Sequence, residues 1–456
     1  MNRSPFLSLV VVGSLLAAAV AHAQPQPDWK AGAAAVTITP QESTWMAGYA
    51  SRNKPSEGKF QDLFAKALAL EDASGTRLVI VTTDLIGIPR GLRDTVEKQL
   101  ARTCGLKPEA MLINASHTHS GPVVRSGKSF YDLTPEQQQR VDKYAAGLPQ
   151  KLVDLVGRAI ADLAPAKLGY CHARAGFAMN RRLPTPSGYQ NSPNPDGQVD
   201  HDVPVLRVER PDGKLRALLF GYACHNTTLA LYQFCGDYAG YAQQYLEEAH
   251  PGTAALFMIG CGADENPYPR GRLELAQQHG RTLATAVEAA LLPKPRQISG
   301  PLRMAFQEVT LDFAPPSHEE LLKMQQKGNQ YEKRYATRLL EQLGKGAPIR
   351  PSYPYPVQVV RFGDDLLLVA LAGETVVDYS LRLKRELAGP AVWIAGYSND
   401  VFGYVPSARV LKEGGYEATG AILFSSLPGP FAPSIEDRII GKVKELARTT
   451  EAKQKQ

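Results

Sequence analysis

Three histidines that follow apolar segments are the side chains whose setting best suits metal binding. The apolar residues Met111–Ala115 lead into the loop that holds His117 and His119, and Leu215–Tyr222 leads into the segment that holds His225. Neutral imidazole is a common zinc ligand, and a rigid strand followed by a loop often presents such ligands. A simpler interpretation is that these imidazoles are hydrogen-bonded in a polar loop or in the core. The pattern therefore indicates a candidate metal site, with this alternative open.

A carboxylate occurs in the same setting. The apolar run Leu366–Ala372 ends in Gly373 and Glu374. A charge placed directly after such a run is costly to bury unless it meets a cation. At the start of a helix, a glutamate is instead favoured by the helix dipole, and that interpretation of Glu374 also stays open. Two histidines and a glutamate form a zinc-ligand set that leaves a position for water, as in hydrolytic metalloenzymes.

Apolar runs of this kind alternate with longer amphipathic segments, which is typical of a mixed α/β (α+β) protein. We expect mixed sheets flanked by helices in one large catalytic unit, residues 28–450. The predicted strands are Ala35–Thr39, Leu78–Asp84, Met111–Ala115, Val203–Val208, Leu215–Tyr222, Ala254–Ile259, Val357–Phe362, Leu366–Ala372 and Val392–Gly396. The predicted helices are Gly91–Thr103, Pro135–Leu163, Tyr241–Ala249, Glu274–Leu291, His318–Leu343, Val376–Leu387 and Ser434–Ala447.

Further loops follow apolar runs or separate them. Asp264 and Glu265 lie in a glycine-rich loop after a predicted strand, and residues 396–404 form another loop with two tyrosines. Either loop could be ordinary turn chemistry. The segment Leu183–Asp200 is rich in proline and glycine, which predicts an irregular loop, and long loops inside compact domains are often functional.

Composition excludes several classes of function. The net charge is only +6, and the basic residues are interleaved with acidic ones, so we expect no nucleic-acid partner. The five cysteines form no CxxC pair, which argues against a zinc site made of thiolates. An odd number of cysteines leaves at least one thiol without an intramolecular partner. We expect buried, unreactive cysteines with at most one bridge rather than a catalytic thiol.

The amino terminus has the pattern of an export signal. Arg3 is followed by the apolar stretch Phe6–Val20 and by Ala21-His22-Ala23, a small-x-small cleavage site. The apolar stretch is shorter than the roughly 20 residues that a membrane-spanning helix needs, which disfavours the alternative of a membrane anchor. We expect residues 1–23 to be a signal peptide, the mature chain to begin near Gln24, and the protein to be exported to a periplasm or to the extracellular space.

The ordered set of motifs along the chain resembles the catalytic domain of the neutral, non-lysosomal ceramidases and their bacterial relatives. Each motif is weak by itself, but the combination in this order is specific and covers nearly all of the chain after residue 23. The motifs are Ile38-Thr39-Pro40, Met46–Ala50, Thr83-Asp84-Leu85, His117–Pro122, Asp237–Tyr241, Gly373-Glu374 and Gly403-Tyr404.

This resemblance implies a specific site. It implies one zinc ion per chain with four ligands, which are His117, His225, Glu374 and Tyr404. It also implies three residues that hold the substrate or its oxyanion, which are His119, Arg181 and Tyr416. Arg182 is an alternative to Arg181 that the sequence does not exclude.

The activity implied by the resemblance is metal-assisted hydrolysis of the N-acyl amide bond of ceramide or a related N-acyl lipid, with transient contact to a membrane surface. The loop Gly262–Pro267 lacks the serine that ceramidases carry at this place, which disfavours a serine nucleophile. We expect no carboxy-terminal immunoglobulin-like domain. The alternatives are a zinc hydrolase of another amide or ester, and an exported binding protein of the same fold. The oligomeric state is left without a prediction.

Overall fold

The computed structural model describes residues 28–125, 131–387 and 389–451, so the predicted signal peptide lies outside the described residues and stays a prediction. The strands are β1 Trp29–Thr37, β2 Phe64–Asp72, β3 Arg77–Thr83, β4 Met111–Ala115, β5 Ala164–Arg174, β6 Ala178–Thr185, β7 Gly188–Asn194, β8 Asp202–Glu209, β9 Leu215–Tyr222, β10 Ala254–Ile259, β11 Glu265–Pro267, β12 Arg296–Ile298, β13 Leu302–Asp312, β14 Ser352–Phe362, β15 Leu366–Leu371, β16 Glu374–Thr375, β17 Ala391–Ala395 and β18 Tyr404–Val405.

Helices lie in some of the connections between these strands and after the last strand. They are α1 Arg90–Thr103, α2 Pro135–Ala161, α3 Asp237–Ala249, α4 Leu273–Leu291, α5 His318–Lys327, α6 Gln330–Gly344, α7 Val377–Glu386, α8 Ala408–Glu413 and α9 Ile435–Thr449, with short 3-10 helices at Pro108–Ala110 and Gly420–Phe424. Within the described ranges, no helix is long and apolar enough to cross a membrane.

Two sheets packed face to face form the centre of the molecule. The larger sheet has the order β10-β9-β8-β5-β1-β2-β3-β4, with β12 paired to β5, and the smaller has the order β13-β14-β15-β17. One apolar cluster, which includes Leu68, Leu219, Leu368 and Trp393, fills the space between them. Helices α1 and α2 contribute to a cluster on the outer face of the larger sheet at one end, and α3 and α4 do so at the other. Helices α7 and α9 pack against the smaller sheet. The predicted class, mixed sheets flanked by helices, is confirmed.

The alternation of side chains along β2 shows how one strand serves two layers. Leu68 and Leu70 face the smaller sheet, whereas Ala65, Ala67 and Ala69 belong to the cluster under α1 and α2. Successive strand residues point to opposite faces, so this period of two matches the two layers. Alanine has a low strand propensity, which explains why the sequence did not predict β2.

Two predictions about segments that connect paired strands are wrong. Residues 318–343 form two helices, because Gly328 ends α5 and the Asn329 side chain caps α6 by accepting from the backbone N–H groups of Tyr331 and Glu332. Most of Leu183–Asp200 is ordered as the hairpin β6–β7, whose turn contains Pro186 and Ser187. Strand β7 lies at the edge of its sheet, where proline is tolerated because no ladder donor is lost.

The first strand also has other bounds than predicted, although the two ranges overlap at residues 35–37. The sequence predicted a strand at Ala35–Thr39, whereas β1 begins six residues earlier, at Trp29. Trp29 is buried, and its indole N–H donates to the carbonyl of Ile298. The alanine-rich segment 31–35 gives little local signal for a strand, and its pairing with β2 and β5 forms only in the folded protein.

Asn114 joins the strand ends that surround the candidate site. Its Oδ1 accepts from the backbone N–H of Ile259 at the end of β10, at 3.0 Å, and its Nδ2 donates to the carbonyl of Gly396 just after β17, at 2.8 Å. The side chain is fully buried. Strands β4 and β10 are the two edges of the larger sheet, so Asn114 brings both edges and the smaller sheet together three residues before His117.

Candidate metal centre

The two histidine loops present His117 and His225 in the same way. His117 follows β4 and His225 follows β9, and both rings are buried. The Nδ1 of His117 lies 2.6 Å from the carbonyl oxygen of Ile86, and the Nδ1 of His225 lies 2.6 Å from that of Gly262. Since a carbonyl only accepts, each Nδ1 must carry the hydrogen, which leaves a lone pair on each Nε2 when the ring is neutral. Burial lowers the pKa of His225 to about 4, with a further contribution from Arg181, so that ring is neutral at pH 7.

The third and fourth groups come from the short parallel pair β16–β18. Glu374 and Tyr404 are directly opposite each other in this pair. The Oε2 of Glu374 lies 3.1 Å from Nε2 of His117 and 3.3 Å from Nε2 of His225. The hydroxyl of Tyr404 lies 3.3 Å from the same His225 nitrogen. Glu374 belongs to β16, and α7 begins only at Val377. The interpretation of Glu374 as a glutamate at a helix start is therefore wrong.

The donor set fits a cation. The buried Oε2 of Glu374 receives no hydrogen bond from the described residues, although two imidazole nitrogens lie beside it. Bonds of about 2.0–2.1 Å to a tetrahedral ion would separate neighbouring ligand atoms by roughly 3.3 Å, which is close to the observed spacings. Imidazole nitrogen and carboxylate oxygen are also the ligand types that zinc takes in hydrolytic sites.

His119 lies beside this set. Its Nε2 is 3.1 Å from Nε2 of His117, and the ligand atoms of the three histidines lie within 4.8 Å of one another. Burial, followed by the nearby His117, holds the pKa of His119 well below its usual value. The backbone of His119 is fixed by the carbonyl of Asn226, which accepts from its N–H, and by Arg52, which donates to its C=O. The ring contacts Gly48 and Tyr49 on its other side.

Arg181, rather than Arg182, reaches the site. A terminal nitrogen of Arg181 donates to the hydroxyl of Tyr404 at 2.8 Å. The guanidinium of Arg182 donates instead to Glu413, Glu417 and the carbonyl of Gly414. The alternative that the sequence left open is thereby resolved in favour of Arg181.

Tyr416 also lies close to these groups. Its ring is 5.4 Å from that of Tyr404, edge to face, and the Arg181 guanidinium carbon is 5.7 Å from the centroid of each of the two rings. The structure therefore brings together the seven residues that the sequence analysis named. They are His117, His119, Arg181, His225, Glu374, Tyr404 and Tyr416.

The glycine-rich loop at 260–267 supports the site through its backbone. Glu265 accepts from the His225 N–H at 3.0 Å, and Asp264 accepts from the Arg181 N–H at 2.8 Å, both through their carbonyl oxygens. The two acidic side chains are fully buried, and burial, with Asp378 nearby, raises the pKa of Asp264 to about 7. Its carboxylate accepts from the backbone N–H of Val377 at 2.8 Å. The sequence had indicated this loop without assigning it a role.

The described cysteines carry no disulfide. Cys104, Cys171, Cys224, Cys235 and Cys261 are all free thiols, and all but Cys104 are buried. Burial raises the pKa of Cys261 to about 12, which disfavours a reactive thiolate. This agrees with the expectation of unreactive cysteines, and the single bridge that the sequence allowed is not formed.

Sequence comparison identifies relatives of the amino-terminal half. Residues 29–265 match the family model described as neutral/alkaline non-lysosomal ceramidase, N-terminal. The chain is 30% identical over 260 residues to the neutral ceramidase of Pseudomonas aeruginosa, a match that covers 54% of this chain and 38% of that protein. It is 28% identical over 239 residues to the neutral ceramidase of Mycobacterium tuberculosis, which covers 49% of this chain and 37% of the relative. The matched region therefore spans well under half the length of these relatives.

Structure comparison extends the similarity in fold over nearly the whole chain. The crystal structure of the Pseudomonas aeruginosa neutral ceramidase superposes with a TM-score of 0.73 at 21% identity, covering 93% of this chain and 74% of the other. A ceramidase complexed with C2 gives 0.70 at 20% identity, covering 92% and 76%. Since the family model matches more than half of the 456 residues, the chain belongs to the neutral/alkaline non-lysosomal ceramidase family.

Proposed function

We propose that this protein is a zinc-dependent hydrolase that cleaves the N-acyl amide bond of ceramide or a related N-acyl lipid. The observation that carries the proposal is the convergence of His117, His225, Glu374 and Tyr404, whose neighbouring ligand atoms lie 3.1–3.3 Å apart. These residues come from distant parts of the chain. Relatives that are neutral ceramidases support the choice of an amide-bonded lipid as substrate.

The residues around the centre have separate roles in this proposal. A bound zinc ion supplies Lewis acidity and lowers the pKa of a coordinated water toward about 7. The carbonyls of Ile86 and Gly262 keep the two imidazoles in the ligand tautomer. Arg181 and Tyr416 are placed to donate hydrogen bonds to an oxyanion that develops next to Tyr404. Losing one such donor typically costs about 2.7–4 kcal/mol of transition-state stabilisation.

Metal analysis combined with a substrate panel tests this proposal. We expect purified protein to hold about one zinc ion per chain and to hydrolyse a fluorescent ceramide analogue, and a chelator should remove both properties together. Full activity in a metal-free sample would refute the proposal. Hydrolysis of short acyl amides or esters in preference to the ceramide analogue would assign a different substrate. Tight binding of the analogue without turnover on any substrate of the panel would identify a binding protein.

Gly48 offers a test of the role of His119. Gly48 has φ of +102°, and a Cβ there would lie 2.5 Å from the His119 ring, so Gly48→Ala should displace that imidazole. A displacement of about 1 Å at a catalytic group can cost about 10²-fold in rate, and we expect a loss of this size in kcat, measured on the ceramide analogue.

Gly75→Ala is the matched control, because Gly75 also has positive φ, at +83°, and a Cβ there contacts nothing. It should cost about 1 kcal/mol in stability and leave kcat unchanged. Equal losses of kcat in the two variants would show that backbone strain, and not His119, is responsible.

A further inference from the structure

A buried group of three charged side chains lies next to the centre. Glu417 lies between two arginines, and all three side chains are at most 5% exposed. One carboxylate oxygen accepts from Nε of Arg181 at 2.8 Å, and the other accepts from a terminal nitrogen of Arg182 at 2.7 Å. Glu417 directly follows Tyr416 in the chain.

The charges of this group depend on one another. Burial opposes the ionisation of Glu417, but Arg181 and Arg182 outweigh it and hold the pKa of Glu417 below its usual value. Glu417 is the carboxylate hydrogen-bonded to Arg181 within the described ranges, whereas Arg182 also donates to Glu413. Loss of the Glu417 charge would therefore leave the Arg181 guanidinium without a carboxylate partner among the described residues, whereas Arg182 would keep Glu413.

The remaining contacts of Arg181 define its orientation. Its second terminal nitrogen donates to Oδ1 of Asn266 at 3.2 Å, while the first donates to the Tyr404 hydroxyl at 2.8 Å. A guanidinium is planar, so fixing the Nε edge on Glu417 fixes the direction in which the other two nitrogens point. Arg182 in turn packs against the ring of Tyr189 in the β6–β7 hairpin, 4.9 Å from its centroid. Glu417 thus ties that hairpin to the segment that carries Tyr416.

We propose that Glu417 is a positioning residue for hydrolysis, which acts by orienting the Arg181 guanidinium toward Tyr404 and the reacting carbonyl. The proposal rests on the function proposed above for the centre. A glutamine at this position has one accepting oxygen and an amide nitrogen that only donates, so it cannot accept from the two arginines on separate oxygens as the carboxylate does. The arginine that faces the amide nitrogen must turn away.

Kinetics of Glu417→Gln test the proposal. We expect kcat on the ceramide analogue to fall about 10–100-fold, the range found for groups that orient reactive residues, with zinc content unchanged. Glu413→Gln is the matched control, because Glu413 forms ion pairs with Arg182 and Arg409, whereas the Arg181 side chain donates to Glu417, Asn266 and Tyr404. It should change kcat less than threefold, which is about 0.7 kcal/mol.

A double-mutant cycle separates positioning from a general structural role. In an Arg181→Ala background, Glu417→Gln should cause no further loss of kcat, because the group through which Glu417 acts is absent. An equal loss in both backgrounds would overturn the proposal. If Glu417→Gln does not fold, Glu417→Asp keeps the charge but withdraws the carboxylate, and an unchanged kcat in the folded aspartate variant would likewise overturn it.

A ¹H–¹⁵N spectrum tests the orientation of Arg181 without any turnover of substrate. The Nε–H of Arg181 should give a guanidinium signal in a ¹H–¹⁵N spectrum that Glu417→Gln shifts and Glu413→Gln does not. An unshifted signal would refute the positioning role even in an active enzyme. Absence of hydrolysis by the unmodified protein, together with the expected shift, would instead refute the proposed function alone.

Discussion

Replacement of Glu374 by glutamine is expected to remove bound zinc and to reduce hydrolysis of the ceramide analogue by about 10³-fold or more. Loss of a metal ion forfeits several kcal/mol of transition-state stabilisation, and each 1.4 kcal/mol or so corresponds to a factor of ten. Glutamine has nearly the same volume as glutamate, so it should fit between His117, His225 and Tyr404. We therefore expect the fold to persist. Zinc content and kcat/KM are the quantities to measure.

Glu288→Gln is the matched control for this change. Glu288 also has a carboxylate oxygen next to an imidazole nitrogen, that of His250 at 2.8 Å, but the pair lies at the surface. Both zinc content and rate should stay within twofold of the unmodified protein, since surface pairs of this kind contribute little. A Glu374→Gln protein that keeps its zinc and its rate would show that the carboxylate is not a ligand.

Asn114→Ala is expected to lower the free energy of unfolding by about 2–4 kcal/mol, which is large for the loss of one small polar side chain. The substitution leaves the buried N–H of Ile259 without its acceptor, which typically costs about 1–3 kcal/mol, and opens a small cavity. The Gly396 carbonyl still accepts from the hydroxyl of Ser398 in this variant. Losing its hydrogen bond from Asn114 therefore costs less free energy than the unpaired Ile259 N–H. Denaturant unfolding followed by circular dichroism measures the change.

Asn53→Ala removes the same side-chain atoms at an exposed position, where the Asn53 side chain accepts a hydrogen bond from the hydroxyl of Tyr232. It should change stability by less than about 0.5 kcal/mol. Similar losses for the two variants would mean that the contacts of Asn114 with β10 and the Gly396 segment do not hold the strand ends together.

Local patterns were sufficient to predict the part of the site that lies at strand ends. Strands β4 and β9 have the predicted bounds, and β15 ends one residue before the prediction, so His117, His225 and Glu374 were correctly placed after buried strands. Long runs of branched apolar residues in the core specify such strands strongly. Tyr404 and Tyr416 were named through the resemblance to the family and not through these patterns.

The residues that hold the site in place could not be predicted because their role depends on tertiary contacts. The carbonyl of Gly262 accepts from the His225 ring, and Glu417 accepts from two arginines more than 230 positions away in the sequence. Neither contact leaves a periodic or compositional signal. The same reason explains the choice between Arg181 and Arg182, which the sequence alone left open.

The proposed metal ligands are shared between the two sheets. His117 and His225 follow strands of the larger sheet, whereas Glu374 follows β15 of the smaller one and is paired with Tyr404. The family match ends at residue 265 and therefore includes the nitrogen donors but neither oxygen donor. A homologue that is recognised only through its first half can therefore have both histidines and still lack the two oxygen ligands. Whether such a homologue can bind a metal ion must be judged from its residues beyond the match.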